Sequence, residues 1–195
     1  PEVIQTSEMD CGPATLKCLL EGFSISASYG RLREACQTDV DGTSIDTMEE
    51  MAGQLGLVAE QTMLPEDHLL LPEADSLPAI VVTTTPGGFT HFVVVWRLHG
   101  PLIQVMDPGT GRRWLAKESF LRTLYRLVMP VPAAAWREWA GTDGFSGPLL
   151  QRLENLGITQ QEAQQLIDKA LQDPGWYALA ALDAATRLLT ALVQA

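Results

Sequence analysis

The run Phe92-Val93-Val94-Val95-Trp96, inside the longer segment Phe89 to Leu98, constrains the fold of this chain most tightly. Successive side chains on a strand point to opposite faces. A strand apolar at every position must therefore be covered on both sides and belongs at the centre of its sheet. Its neighbours follow in order. Pro78 to Thr84 is β-branched, and Pro86-Gly87-Gly88 turns the chain into the apolar strand. His99-Gly100-Pro101 turns it out again into Leu102 to Met106. The turn Asp107-Pro108-Gly109-Thr110-Gly111 leads to Arg113 to Leu115, which pairs back. A short helix is expected from Lys117 to Leu124, and Leu127 to Val131 is expected to close the sheet.

The residues ahead of the sheet carry helical spacing instead. Apolar Ala14, Leu16, Leu19 and Leu20 follow Asp10, a good N-cap, and Pro13 is tolerated in a first turn, so a helix is expected from Cys11 to about Glu21. A second runs from near Ser28 to Cys36 with Leu32 and Ala35 inward. Thr43 or Ser44 caps a third, carrying Ile45, Met48, Met51, Ala52 and Leu55 and closed by Gly56. Val58 is read as starting a strand, and Pro65 to Pro72 as a short helix or loop. Helices first and an antiparallel sheet afterwards make the fold class α+β.

Composition narrows the function. The chain has 195 residues, enough for one domain with a real core and an appendage. Its 46% hydrophobic and 19% charged residues are those of a soluble globular protein. Net charge is -11, and the eleven acidic residues between Arg33 and Arg97 are interrupted by no Lys or Arg. Phosphate contacts need clustered basic residues, so nucleic acid is excluded as a partner. Three cysteines, Cys11, Cys18 and Cys36, with no CxxC spacing support neither a disulfide framework nor a metal site, and reducing conditions fit best. The sequence carries no signal peptide and no apolar run of membrane-spanning length. Opening at Pro1 and ending at Ala195, it reads as a piece of a longer protein.

Cys11 stands at the first turn of a helix, where the dipole favours the thiolate. Free thiols are more often buried and inert. Gly12 leans the other way, as a residue that leaves room for a substrate backbone. Local features leave the two readings open. A nucleophilic thiol needs a base, and the base needs an orienting group. Of three histidines, His68 in an acidic loop reads as solvated and His99 in a turn as structural. His91 starts the most apolar strand just after a glycine turn. Asp107 ends the next strand and lies as far beyond the His99 turn as His91 lies before it. Antiparallel pairing would bring the two together, although Asp-Pro-Gly also accounts for Asp107 as a simple turn residue.

The pattern Gln5-x-x-x-x-Asp10-Cys11-Gly12-x-Ala14 resembles the opening signature of the C39 peptidases, papain-like cysteine proteases found at the N-terminus of bacterial peptide-exporting ATP-binding-cassette transporters. Gly42-Thr43-Ser44, Leu55-Gly56-Leu57, Pro78-Ala79-Ile80, His91-Phe92-Val93-Val94 and Asp107-Pro108 with Gly111 match in order, over roughly residues 1 to 130. The resemblance implies a papain-like fold with Cys11 as nucleophile, His91 as general base and later acid, and Asp107 orienting His91. Gln5 would donate its side-chain amide to the oxyanion beside the backbone N–H of Cys11. Thr15 departs from the family, where a second cysteine or serine is frequent; Cys18 is assigned to packing.

The resemblance also implies a substrate. Such peptidases remove leader peptides from bacteriocins or lanthipeptides after a Gly-Gly or Gly-Ala pair, in a narrow cleft that admits only glycine-like residues. The leader is expected to dock as an amphipathic helix. Partners would be the leader and the rest of the transporter, at the cytoplasmic face of the bacterial inner or plasma membrane. No cofactor and no metal are expected in this domain, ATP belonging to the full-length transporter. Two alternatives stand beside it: a leader-docking module with an unused site, disfavoured by the joint presence of Gln5, Cys11, His91 and Asp107, and a papain-fold synthase passing the acyl group to an amine.

Three regions are expected: a peptidase domain over 1–132, a linker over 133–146 and a small helical unit over 147–195 that leads toward transmembrane helices. In the last, Leu149, Leu150 and Leu153 mark one helix, and Thr159-Gln160-Gln161-Glu162 is a capping box for a second. Pro174 is placed at N1 of a third, whose polar side carries an Asp183–Arg187 pair.

Overall fold

The computed structural model describes residues 1–39, 42–128 and 130–193, with Glu73 described by its backbone alone. The chain divides into two compact units: Pro1–Leu70 with Ser76–Arg126, and Leu71–Asp75 with the segment from Leu127 onward.

In the first unit, helices α1 (Cys11–Gly22), α2 (Tyr29–Ala35) and α3 (Ile45–Gln54) precede the strands β1 (Ala79–Thr84), β2 (Thr90–His99), β3 (Leu102–Asp107) and β4 (Gly111–Ala116), followed by α4 (Lys117–Leu121). The sheet is an antiparallel meander of order β1-β2-β3-β4, so the apolar β2 is internal as its sequence requires. Alternate residues of β2 feed two cores. Val94 meets Met106, Ala14 and Cys18. Val93 and Val95 meet Ile103, Val105 and Phe120. Helix α1 also faces α2 and α3 through Leu16, Leu20, Leu32, Cys36 and Ala52.

Close approach fixes α1. A Cβ on Gly22 would stand 2.0 Å from the Trp96 ring, so only glycine lets the end of α1 cross β2 here. Ser44 is the residue that caps α3, accepting from the Thr47 N–H at 3.1 Å, and Gly56 follows with φ +92.

Three expectations fail in this unit, and a fourth fails just beyond it. Val58 begins no strand: it is fully exposed, with no neighbouring strand to take up its backbone. In α2, Ala35 is exposed and Cys36, one turn after Leu32, points inward. The short helix after β4 ends at Leu121 instead of running to Leu124. Leu127 to Val131 forms no strand among its described residues. The segment that completes the sheet edge comes earlier, with Leu124 bridging Thr83 and the Tyr125 N–H donating to the Val82 carbonyl at 2.9 Å.

In the second unit, α5 (Ala133–Ala140), α6 (Asp143–Asn155), α7 (Gln160–Leu171) and α8 (Tyr177–Val193) enclose Phe145, Leu149, Leu153, Ile167 and Leu179. The stretch 133–146, read as a linker, is helical for most of its length, and Trp136 and Trp139 pack edge-on to Phe145 at 5.5 and 5.2 Å. The capping box forms: Thr159 accepts from the Glu162 N–H, and Glu162 accepts from the Thr159 N–H. Pro174 is not at N1. The helix starts at Tyr177 because Asp173 takes up the N–H groups of Gly175 and Ala178, and Arg137 holds the carbonyls of Leu171, Asp173 and Gly175. Asp183 pairs with Arg187 at 2.8 Å as expected, and also with the buried Arg152 of α6. Among the described residues, no helix is long and apolar enough to cross a membrane.

Candidate active site

Three side chains far apart in sequence meet where α1 begins beside β2. Cys11 opens α1 and is 8% exposed. His91 is the second residue of β2, and Asp107 is the last residue of β3. His91 Nε2 and Asp107 Oδ1 are 2.9 Å apart. The Cys11 thiol stands beside the same imidazole, each group shifting the other's titration, while Nε2 is taken up by Asp107. The backbone amides of Phe92 and Gly12 act on the same thiol and favour its ionised form.

The hairpin brings His91 to Asp107 by a slightly different route from equal spacing about the turn. A register shift between Val95 and Arg97 sets Val94 opposite Met106. One step further, Asp107 falls opposite Val93, and His91 is its diagonal neighbour, still within reach of a long side chain.

Asp107 is a turn residue that also holds the imidazole. Its Oδ1 accepts from the Gly109 N–H at 2.8 Å as well as facing His91. Its Oδ2 accepts from the Thr110 hydroxyl at 2.7 Å and the Arg113 guanidinium at 2.8 Å. The turn therefore fixes the carboxylate that fixes the imidazole.

The electrostatics follow from this packing. Burial raises the Cys11 thiol, but the His91 hydrogen bond, the Phe92 and Gly12 amides and the imidazolium charge outweigh it, and its pKa is lowered below 9.0. The Asp107 hydrogen bond, joined by that of Cys11, raises His91 to about 9 against desolvation. Burial opposes ionisation of Asp107, yet His91, Thr110 and the Gly109 amide hold it well below the ordinary carboxylate range. Together these shifts favour a thiolate beside an imidazolium backed by a carboxylate. The other thiols differ: burial pushes Cys36 up to about 11 and raises Cys18 as well, and both stay with packing.

Gln5 lies near this group on a pinned segment. Its backbone N–H donates to the Pro108 carbonyl at 2.9 Å, beside Asp107. Its Oε1 is buried without a hydrogen-bond partner.

Several local readings change. Asp10 is not a side-chain cap of α1: it is fully buried, accepting from Arg33 Nε at 2.8 Å and the Thr6 hydroxyl at 2.7 Å. Gly12 makes room for the protein rather than for a substrate, since a Cβ there would stand 2.8 Å from Thr43 Cβ and 3.2 Å from Met48 Sδ. His68 is fully buried rather than solvated, because Leu69 and Leu70 carry its segment into the core. His99 lies not in the turn but at the last position of β2, paired with Leu102, where it is exposed against Trp114 at the far end of the strand from His91. Thr15 is buried and spends its hydroxyl on the Cys11 and Gly12 carbonyls. Sequence reading missed Thr6, Arg33, Thr110 and Arg113. Thr110 alone was legible, three residues after Asp107 in an Asx-type turn.

Comparison with known proteins agrees with this architecture. Over 155 residues the chain is 27% identical to the lactococcin-G-processing and transport ATP-binding protein LagD of Lactococcus lactis, covering 79% of this chain and 20% of that protein. It is 28% identical over 150 residues to the mesentericin-Y105 transport/processing ATP-binding protein MesD of Leuconostoc mesenteroides, covering 75% of this chain and 18% of that protein. The chain thus spans about one fifth of the length of these relatives. Among solved structures, the peptidase domain of Streptococcus ComA, a bifunctional ABC transporter of a quorum-sensing pathway, aligns with TM-score 0.57 and 25% identity over 63% of this chain and 90% of that one. A double glycine motif protease from an AMS/PCAT transporter, solved with a leader peptide, shares the fold at TM-score 0.56 and 23% identity, over 64% of this chain and 84% of that one. Papain-like is therefore the fold of the first unit. The Peptidase C39 family model matches residues 1–131 of the 195, and the chain belongs to that family of cysteine peptidases.

Proposed function

We propose that this chain removes the leader from a ribosomally made peptide by cutting after a Gly-Gly or Gly-Ala pair, as the peptidase part of a longer ABC exporter. The observation that carries the reading is the meeting of the Cys11 thiol with His91, which lies 2.9 Å from Asp107 and shares a coupled titration with the thiol.

Cys11 thiolate attacks the carbonyl carbon of the second glycine, and the carbonyl π electrons move onto oxygen. The Gln5 amide and the Cys11 backbone N–H receive that oxyanion. Collapse breaks the C–N bond while imidazolium His91 gives its proton to the departing amine, leaving a leader thioester on Cys11. Neutral His91 then takes a proton from water, hydroxide attacks the thioester, and the thiolate leaves with its electron pair. Asp107 holds the imidazole orientation through both halves. Thiol, imidazole, carboxylate, amide and water suffice for these steps, and ATP is assigned to the exporter beyond this chain.

The leader is proposed to dock as an amphipathic helix, its apolar anchors at i, i+3, i+4 and i+7. The site would work at the cytoplasmic face of the membrane, where precursor and thiol are both available. A docking-only role fits poorly with a chain that keeps all four groups in place.

Incubation with a double-glycine precursor peptide under reducing conditions, followed by mass spectrometry, tests this. The expected product ends at the second glycine and is absent with Cys11→Ala. Retention of the intact precursor by wild-type protein, across several leaders bound tightly, would replace the peptidase reading with the docking one.

A further inference from the structure

The residue before the nucleophile carries a charge with no part in the steps above. Asp10 is fully buried, and each of its carboxylate oxygens has a donor. Arg33 Nε reaches Oδ1 at 2.8 Å, and the Thr6 hydroxyl reaches Oδ2 at 2.7 Å. Thr6 is also held by α2 a second time: its N–H donates to the Tyr29 hydroxyl at 3.4 Å. Tyr29 and Arg33, one helical turn apart, therefore grip the same short segment, one directly and the other through Asp10.

On the other side of that segment, the Gln5 N–H is tied to the Pro108 carbonyl. Gln5 thus stands between two anchors one residue apart, one on the Asp107 turn and one on the Asp10 carboxylate. Its own side-chain oxygen has no partner that would fix the amide. The backbone must do so, and charge-assisted hydrogen bonds to a buried carboxylate are the stiffest tether available. We propose that Asp10 is a positioning residue which, through Thr6, sets the Gln5 amide against the carbonyl oxygen that becomes the oxyanion. The proposal rests on Gln5 being the oxyanion donor.

Thr6 is the residue to change, because it is exposed and Thr6→Val alters little but the hydroxyl. The test measures kcat and KM on a double-glycine precursor for wild type, Thr6→Val, Thr6→Ser, Gln5→Ala and the Gln5→Ala/Thr6→Val double variant of the full chain. Thermal unfolding and the iodoacetamide alkylation rate of Cys11 are followed in parallel. Losing an oxyanion donor outright costs on the order of a hundredfold in kcat, and misplacing one is expected to cost about tenfold. Thr6→Val should show that tenfold loss with KM unchanged, and Thr6→Ser should restore the rate to within about twofold. On a Gln5→Ala background Thr6→Val should cost nothing more, while Cys11 alkylates at the wild-type rate throughout.

An equal loss from Thr6→Val with and without Gln5 overturns the proposal, as does a loss matched only by a lower melting temperature. So does full activity of Gln5→Ala, which removes the oxyanion role of Gln5 but leaves Cys11 and His91 standing if Cys11→Ala is dead. Activity surviving in Cys11→Ala would instead bring down the peptidase site itself.

Discussion

Cys11, His91 and Asp107 stand in a row in which each member shifts its neighbour, so the titrations of Cys11 and His91 are coupled. The active form needs the thiolate and the imidazolium together. kcat/KM should therefore rise with pH through the lowered Cys11 titration and fall again near pH 9, as His91 loses its proton. In Asp107→Asn the largest cause raising His91 is gone, and the basic limb should move to lower pH, with kcat down by about 10²-fold or more. A pH–rate profile of both proteins checks this, and an unmoved limb would separate Asp107 from the base. Stability carries the same sign. The raised His91 stabilises the fold fully below its unfolded value of about 6.5, and that contribution fades as pH rises through about 9. At this scale the candidate nucleophile, base and orienting residue were legible, because reactive residue types are few and antiparallel pairing sets the start of β2 beside the end of β3, though through a shifted register. The partners of Asp10 and the Arg113 contact of Asp107 were not. A buried carboxylate looks in sequence like a helix cap, and Thr6, Arg33 and Arg113 acquire their meaning only through tertiary contact.

Among the elements, α1 sets the position of the sulfur and is itself set by two glycines. Gly12 packs on Thr43 and Met48, and Gly22 on Trp96. Gly12→Ala should destabilise the first unit by about 1–3 kcal/mol, because the Thr43 Cβ cannot retreat without moving the loop that enters α3. Chemical denaturation would show this as a lower midpoint; an unchanged midpoint would mean that the loop yields freely. The motif Gly42-Thr43-Ser44 thereby gains a physical reading: Thr43 fills the hollow at Gly12 while Ser44 caps α3 at 3.1 Å. Periodicity located α1 and α3 by their apolar faces, the doubly covered β2 by its unbroken apolar run, and the other strands by the turns that bound them. It misplaced Val58, the sheet-closing segment and the start of α8. There the decision lies with backbone partners, Leu124 with Thr83 and Asp173 with Gly175, and hydrophobic spacing carries no trace of those.

The whole molecule holds two units with separate cores, and all four candidate site residues lie in the first. The helical unit has its own charged linchpin, since Asp183 on α8 pairs with the buried Arg152 of α6 and with Arg187. Asp183→Ala leaves the Arg152 guanidinium without that carboxylate and should cost the helical unit about 3 kcal/mol. Cleavage kinetics should stay within about twofold of wild type at temperatures where the first unit is folded, as expected for independent sites. Calorimetry and a cleavage assay on one preparation check both halves, and a large fall in kcat would show that the two units are coupled.

The most direct test of the thiolate–imidazolium pair is selective alkylation near pH 6. Iodoacetamide treatment, peptide mapping and residual activity would be followed on the same sample. Cys11 should react first and alone, with activity falling in step with its modification, while buried Cys18 and Cys36, whose pKa values are raised, stay untouched. Reaction of Cys18 or Cys36 as fast as Cys11, or cleavage persisting after Cys11 is fully alkylated, would contradict the account at its centre.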